Sequence, residues 1–215
     1  MPSTTRTTPN RYADRMRDEP EVVRQILDEA LVCHLSFVVN GEPRVLPTLH
    51  ARDGETLYLH GSTGSRPMLA ARSGEVPVCV AVTLLDGLVL TRSQFNHSVN
   101  YRSVVIHGRA RLVTDVAEKR RSLAALVDHV AAGRSRDSRP PHDRELAQTS
   151  VLALPLAEAA AKVRTGGPAD DPEDLGLPHW SGVLPLRLVA GVPEPGTDGV
   201  AVPLPAYLRE YRRQR

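Results

Sequence analysis

Three Asx-Gly pairs, Asn40-Gly41, Asp53-Gly54 and Asp86-Gly87, constrain this chain more than any other local signal, because each separates runs rich in Val, Leu and Thr. A two-residue reversal needs backbone angles that Asn, Asp and Gly reach at little cost, and β-branched flanks favour extended chain, so each pair predicts a tight hairpin. The turns set strands over residues 32–39, 44–51, 56–60, 78–84 and 88–91, with a short helix at 66–72 crossing between the third and fourth. Residues 103–113 read as a further strand, and residues 151–156 return as one able to close the set. Short antiparallel strands hide their edges best in a closed or partly closed barrel. Two amphipathic helices accompany them: residues 21–30 after Pro20, with Val22, Val23, Ile26, Leu27 and Ala30 on one face, and residues 117–130, with Leu123, Leu126, Val127 and Val130 in one stripe.

A chain of 215 residues makes one domain with extensions. Residues 1–19 read as a flexible N-terminal arm, 20–190 as the barrel domain and 191–215 as a Pro/Gly-rich C-terminal extension. The 27 basic and 25 acidic residues leave a formal charge of +2, and no Lys/Arg block interleaves with aromatics, so no nucleic-acid partner is expected. The longest apolar run, residues 76–85, is about half of the roughly 20 residues a membrane-spanning helix needs, so no membrane partner is expected either. The first ten residues lack the apolar core of a secretory signal, which predicts a cytoplasmic location. Cys33 and Cys79 lie inside apolar segments, where a reduced thiol behaves as a small hydrophobe.

Chemistry concentrates in two places. After residues 56–60 the chain runs Gly61-Ser62-Thr63-Gly64-Ser65-Arg66 into the 66–72 helix. Glycines can turn N–H groups toward an anion, a helix start adds partial positive charge and Arg66 can grip phosphate oxygens with a planar fork. The same residues also make an ordinary Ser/Thr-capped turn with a solvated arginine. The second cluster is Asn96, His97, Ser98, Asn100, Tyr101, Arg102 and Ser103, dense enough in donors to bind a flat heterocycle and equally able to form a polar loop. Nucleophilic catalysis finds no support: there is no Gly-x-Ser-x-Gly elbow, and Cys33 and His34, adjacent on a strand, point to opposite faces. The eight histidines include no i,i+4 helical pair, so no metal site is expected, and Rossmann and Walker glycine motifs are absent. An enzyme of this kind borrows its chemistry from a cofactor. No catalytic residue is assigned, although His50, His60 and His97 are candidates because a histidine titrates near neutral pH.

The succession Arg44-Val45-Leu46-Pro47-Thr48, Leu57-Tyr58-Leu59-His60-Gly61-Ser62, Ser65-Arg66, Tyr101-Arg102-Ser103-Val104 and Gly108-Arg109-Ala110 resembles the pyridoxamine 5'-phosphate oxidase-like split β-barrel family, over residues 12–190. Within it the chain is similar to the branch of nitroimidazole-resistance reductases. The resemblance implies a mainly β fold with a few helices, a Greek-key split β-barrel. It also implies a homodimer holding FMN at the subunit interface, and an FMN-dependent oxidoreductase acting on a small planar organic substrate by hydride transfer. Carried over by position, Arg44, Val45, Leu46, Pro47 and Thr48 would line the flavin ring, and His60, Gly61, Ser62, Ser65 and Arg66 would hold the phosphate. Asn100, Arg102 and Ser103 would contact the ring or ribityl chain, and Lys162, Arg164 and Trp180 would reach the flavin of the other subunit. The Arg-x-His element with which true pyridoxamine-phosphate oxidases bind substrate is missing from residues 207–215, which offer Arg and Tyr but no His, so vitamin B6 oxidation is not expected. Similar barrels bind deazaflavin F420 or haem, leaving an F420-dependent reductase, or a flavin- or haem-binding carrier or sensor, as alternatives.

Overall fold

The computed structural model describes residues 4–8, 11–17, 19–200 and 202–211. The expected arm and the expected C-terminal extension each fall partly outside these residues. The elements are β1 (Met16–Arg17), α1 (Pro20–Glu29), β2 (Val32–Val39), β3 (Glu42–Asp53), β4 (Thr56–Ser62), α2 (Arg66–Ala70), β5 (Val76–Leu90), β6 (Ser98–Leu112), α3 (Val116–Val130), α4 (Asp143–Gln148), β7 (Thr149–Pro155), β8 (Ala159–Arg164), β9 (Gly182–Pro185) and α5 (Ala206–Arg209).

Antiparallel pairing runs β2–β3–β4–β7–β6–β5 and back to β2, a closed ring that leaves few edges to protect. The ring is split along β6: β7 pairs with it only at Arg111 and Leu112, whereas β8 takes the segment from Tyr101 to Ile106 and carries β1 outside it. Leu35, Leu57, Leu59, Val80, Ile106, Leu152 and Leu154 fill the interior, and α1 closes over it with Val23, Ile26 and Leu27. Those helix residues recur at the spacing that puts one face inward, as the sequence predicts, while Val22 packs at the margin.

Two of the three Asx-Gly pairs turn the chain. Asn40 and Gly41 both take positive φ (53° and 80°), the pattern of a tight primed turn between β2 and β3, and Gly54 (φ 57°) serves the β3–β4 reversal. The third does not. Asp86-Gly87 lies inside one continuous strand, β5, where the expected strands at 78–84 and 88–91 run together through a bulge between Leu85 and Gly87. The reason is competition for the same edge: β6 pairs with β5 from Val76 to Val89, so nothing remains for a local hairpin to bond. β9 then takes the other edge, from Gly87 to Leu90. A Cβ on Gly87 would come within 3.1 Å of the Leu184 carbonyl oxygen and 3.2 Å of Val183 Cγ1, so the glycine serves close approach of β9.

Near the N-terminus, Thr4 and Arg6 both bond Glu158, and β1 pairs Met16 with Lys162. After β9 the described residues form no regular element until α5, and Leu188 and Val192 stand 84% and 90% exposed on this stretch. The tail then returns to the domain: the Tyr207 hydroxyl donates to Asp137 (2.7 Å) and the Tyr211 hydroxyl to the Val130 carbonyl (2.8 Å). Among the described residues no helix is long and apolar enough to cross a membrane.

Candidate functional site

β3 and β4 pair only from His50–Leu59 to Asp53–Thr56. Before His50, β3 is bonded to β2 alone, and beyond Leu59, β4 is bonded to β7 alone. The first half of β3 therefore presents an open edge of backbone N–H and C=O groups among the described residues, with Arg44, Pro47 and the apolar Val45 (57%) and Leu46 (43%) exposed and Thr48 half-buried. Such an edge bonds the heteroatoms of a flat ring as readily as another strand.

At the far end of β4 lies the Gly61–Arg66 loop. Ser62 organises it: its carbonyl accepts from Ser65 N (2.9 Å) and its hydroxyl from Gly64 N (3.3 Å). A Cβ on Gly61 would meet Met68 Cε at 3.1 Å and Ser65 Oγ at 3.4 Å, so α2 packs closely against this glycine and a side chain here would make Met68 shift. Ser65 occupies the N-cap position of α2 yet makes no cap bond, and its buried Oγ has no hydrogen-bond partner. An orphaned buried hydroxyl costs about 1–3 kcal/mol, which a ligand oxygen can restore. Arg66 is exposed and forms no ion pair among the described residues. Helix α2 has only five residues, so the positive charge here is the Arg66 guanidinium rather than the helix start.

The second cluster stands elsewhere. Asn100, Arg102 and Ser103 lie on β6, separated from β3 around the ring by β2 and β5, and next to β8. Asn100 accepts from Arg164 and donates to the Gly166 carbonyl, and the Ser103 hydroxyl donates to the Lys162 carbonyl (3.3 Å). Arg102 is committed to structure. It pairs with Glu29 at the end of α1 and with Asp86 in the β5 bulge (2.8 Å), and both bonds raise its pKa. Trp180 is exposed just before β9, where its ring covers Gly182, and the Lys162 ammonium lies 5.8 Å from the Tyr12 ring centroid. Within one chain, then, residues 44–48 and the Gly61–Arg66 loop stand on one side and Asn100, Ser103, Lys162 and Trp180 on another, while His60, expected beside the loop, faces the opposite side of β4.

A feature outside both expectations is a cavity of about 640 Å³ between α3, the 131–141 loop and the β3–β4–β7 face. Leu49, Leu123, Val127 and Val130 form apolar walls, and Arg120, Arg134, Arg139 and Glu145 stand around it. The α3 stripe reads in sequence as a packing face. Leu126 is buried in that way, but Val127 and Val130 remain part-exposed toward the cavity. The loop reads as solvated because its Arg/Ser/Pro content signals a turn, and no local pattern marks it as a wall. The α3 end of this region is held by Glu118, which accepts from the Tyr58 hydroxyl (2.9 Å) and pairs with Arg111 (2.5 Å). Arg111 holds the Glu118 carboxyl below its usual range, and burial, reinforced by Glu118, pushes the Tyr58 phenol up.

His60 also lines the cavity, on the face of β4 that carries Tyr58, and its Nδ1 is buried with no partner. The other histidine candidates are engaged: His50 Nε2–H donates to the Leu27 carbonyl (2.9 Å) and packs against His129 with ring centroids 4.9 Å apart, and His97 Nδ1 bonds the Ser93 carbonyl (2.9 Å).

Residues 19–163 match the pyridoxamine 5'-phosphate oxidase family. The fold and sequence are similar to flavocytochrome Anf3 from Azotobacter vinelandii, with 40% identity, a TM-score of 0.90 and coverage of 98% of each chain. They are also similar to an FAD- and haem-binding protein from Mycobacterium smegmatis, with 35% identity, a TM-score of 0.85 and coverage of 91% of this chain and 96% of that one. A candidate 5-nitroimidazole antibiotic resistance protein from Bacteroides thetaiotaomicron shares the fold at 21% identity and a TM-score of 0.58, over 69% of this chain and 86% of that one. No curated protein matches the sequence.

Proposed function

The chain belongs to the pyridoxamine 5'-phosphate oxidase family, and on that premise we propose that it is a flavin-dependent oxidoreductase of the two-cofactor kind, holding a flavin nucleotide and a haem. The observation that carries the flavin part is the open edge of β3 beside a loop with an orphaned buried Ser65 Oγ and an unpaired Arg66. Backbone groups along residues 44–48 orient the ring, the apolar side chains of Val45 and Leu46 flank it from opposite sides of the strand, and Gly61, Ser62, Ser65 and Arg66 bind the phosphate. Bound in this way, the flavin supplies hydride exchange with a small planar substrate and the haem supplies one-electron transfer. Two relatives that match nearly the full length of the chain are a flavocytochrome and an FAD- and haem-binding protein, which supports pairing the two cofactors. The functional unit is a homodimer, because Asn100, Ser103, Lys162 and Trp180 lie away from the ring-lining edge of their own chain and reach a flavin only across an interface.

The absorption spectrum of the freshly purified protein is the first test, with bands of oxidised flavin and a haem Soret band expected together. Mass analysis of heat-released cofactor then separates FMN, FAD and F420. Arg66→Ala is expected to weaken flavin binding about 10- to 100-fold, the loss of one charge-assisted contact. Unchanged flavin content in that variant would show that the phosphate lies elsewhere.

A further inference from the structure

We infer that the cavity between α3 and the β3–β4–β7 face is the haem site, and that His60 is the axial ligand of the iron. This rests on the two-cofactor reading and goes beyond it by assigning the pocket and the residue. Alternation along β4 separates His60 from the phosphate cradle: Gly61 faces Met68 and Ser65, so its neighbour His60 faces the opposite way, with Tyr58, toward α3. The His60 ring lines a space with aliphatic walls and a polar, arginine-bearing rim, and its buried Nδ1 has no hydrogen-bond partner. With Nδ1 enclosed by the protein, Nε2 is the ring nitrogen left free to meet a ligand, and imidazole nitrogen is a common axial donor to haem iron. His60 is also the only histidine lining the cavity among the described residues.

The walls and rim suit the rest of the macrocycle. Leu49, Leu123, Val127 and Val130 offer the apolar surface a flat porphyrin needs, and about 640 Å³ falls within the range of cofactor-sized pockets, roughly 300–1,000 Å³. Three arginines line it, donors that suit a dicarboxylate such as the haem propionates. These arginines now pair with Asp143 (2.9 Å), Asp137 (3.5 Å) and Glu145 (2.7 Å) in exposed pairs, each worth little, so exchanging a partner for a propionate costs little. The nucleotide tail of a flavin would also meet the arginines, but it would leave His60 and the apolar walls without a role.

The test uses the full chain produced with ample haem supply. It compares wild type, His60→Ala, His60→Gly with and without added imidazole, and the cavity-filling Val127→Trp, reading haem and flavin content per chain, Soret position and melting temperature. His60→Ala is expected to lower retained haem affinity more than about tenfold, over about 1.4 kcal/mol, while flavin content and melting of the flavin-loaded protein stay close to wild type. Imidazole is expected to restore the Soret band in His60→Gly, and Val127→Trp to exclude haem with the imidazole still in place. A wild-type Soret position and haem content in His60→Ala would overturn the ligand assignment. Loss of flavin with haem retained would make the cavity a flavin site instead. Wild type that carries flavin but no haem under haem supply would overturn the two-cofactor reading itself, a failure distinct from either.

Discussion

At position 102 a long cation sits between two carboxylates, Glu29 and Asp86, with its side chain only 25% exposed. Arginine donates to both at once through its planar fork, which lysine cannot imitate. Arg102→Ala is therefore expected to cost about 2 kcal/mol of stability, read as a lower urea midpoint, while flavin content is unchanged. A variant with normal stability and lost flavin would return Arg102 to the cofactor. The sequence suggests a ligand role because Arg102 stands among polar neighbours, and the carboxylates it pairs with lie 73 and 16 positions away, beyond any local pattern. The turn at Gly61–Ser65 is legible for the opposite reason: it is written in consecutive residues. Cys33 supplies a second residue-level prediction. Burial raises its thiol pKa from 9.0 to about 12, so the folded state keeps a proton that the unfolded state releases above pH 9.0. The sign follows from linkage: this contribution to stability is intact below pH 9.0 and falls by up to about 1.4 kcal/mol per pH unit between 9.0 and about 12. Guanidinium unfolding of wild type and Cys33→Ala across that range should diverge in this direction, and native Cys33 should resist thiol reagents that label the unfolded chain.

Elements were legible where pattern and partner agree. Val32–Val39 pairs on both sides at the expected residues because its alternation and the Asn40-Gly41 turn demand the same register. Asp86-Gly87 carries the same turn chemistry, yet pairing of β5 with β6 along fifteen-residue strands outweighs one local preference, and a turn signal becomes a bulge. Helix α3 combines both situations. Its start is local, with Asp115 as N-cap accepting from Glu118 N at 2.7 Å, so Asp115→Ala should cost about 1 kcal/mol, measurable as a lower denaturation midpoint. Its apolar stripe cannot report whether protein or ligand covers it, since periodicity records only that something apolar must. That ambiguity hides the cavity from sequence while leaving its wall in plain sight.

For the molecule as a whole, the two clusters expected around one flavin lie on different sides of the ring, with β2 and β5 between them. On the proposed reading, a single chain supplies to one flavin either the β3 edge with the Gly61–Arg66 loop or the β6–β8 end, and a second copy would bring the two together. Exposed apolar side chains on the edge, Val45 and Leu46, and on the tail, Leu188 and Val192, give such a copy surface to cover. This geometry makes a complementation experiment decisive. If the proposed shared site is right, Arg66→Ala removes a phosphate contact and Lys162→Ala a contact from the other subunit, so homodimers of either variant should each hold less flavin than wild type. A heterodimer of the two has one site carrying both defects and one carrying neither. Co-expressed with different affinity tags and purified through both, it should recover about half the wild-type flavin per chain, with full affinity at the intact site. If both groups instead served the flavin of their own chain, the heterodimer would hold two singly damaged sites, and its affinity would match those of the homodimers.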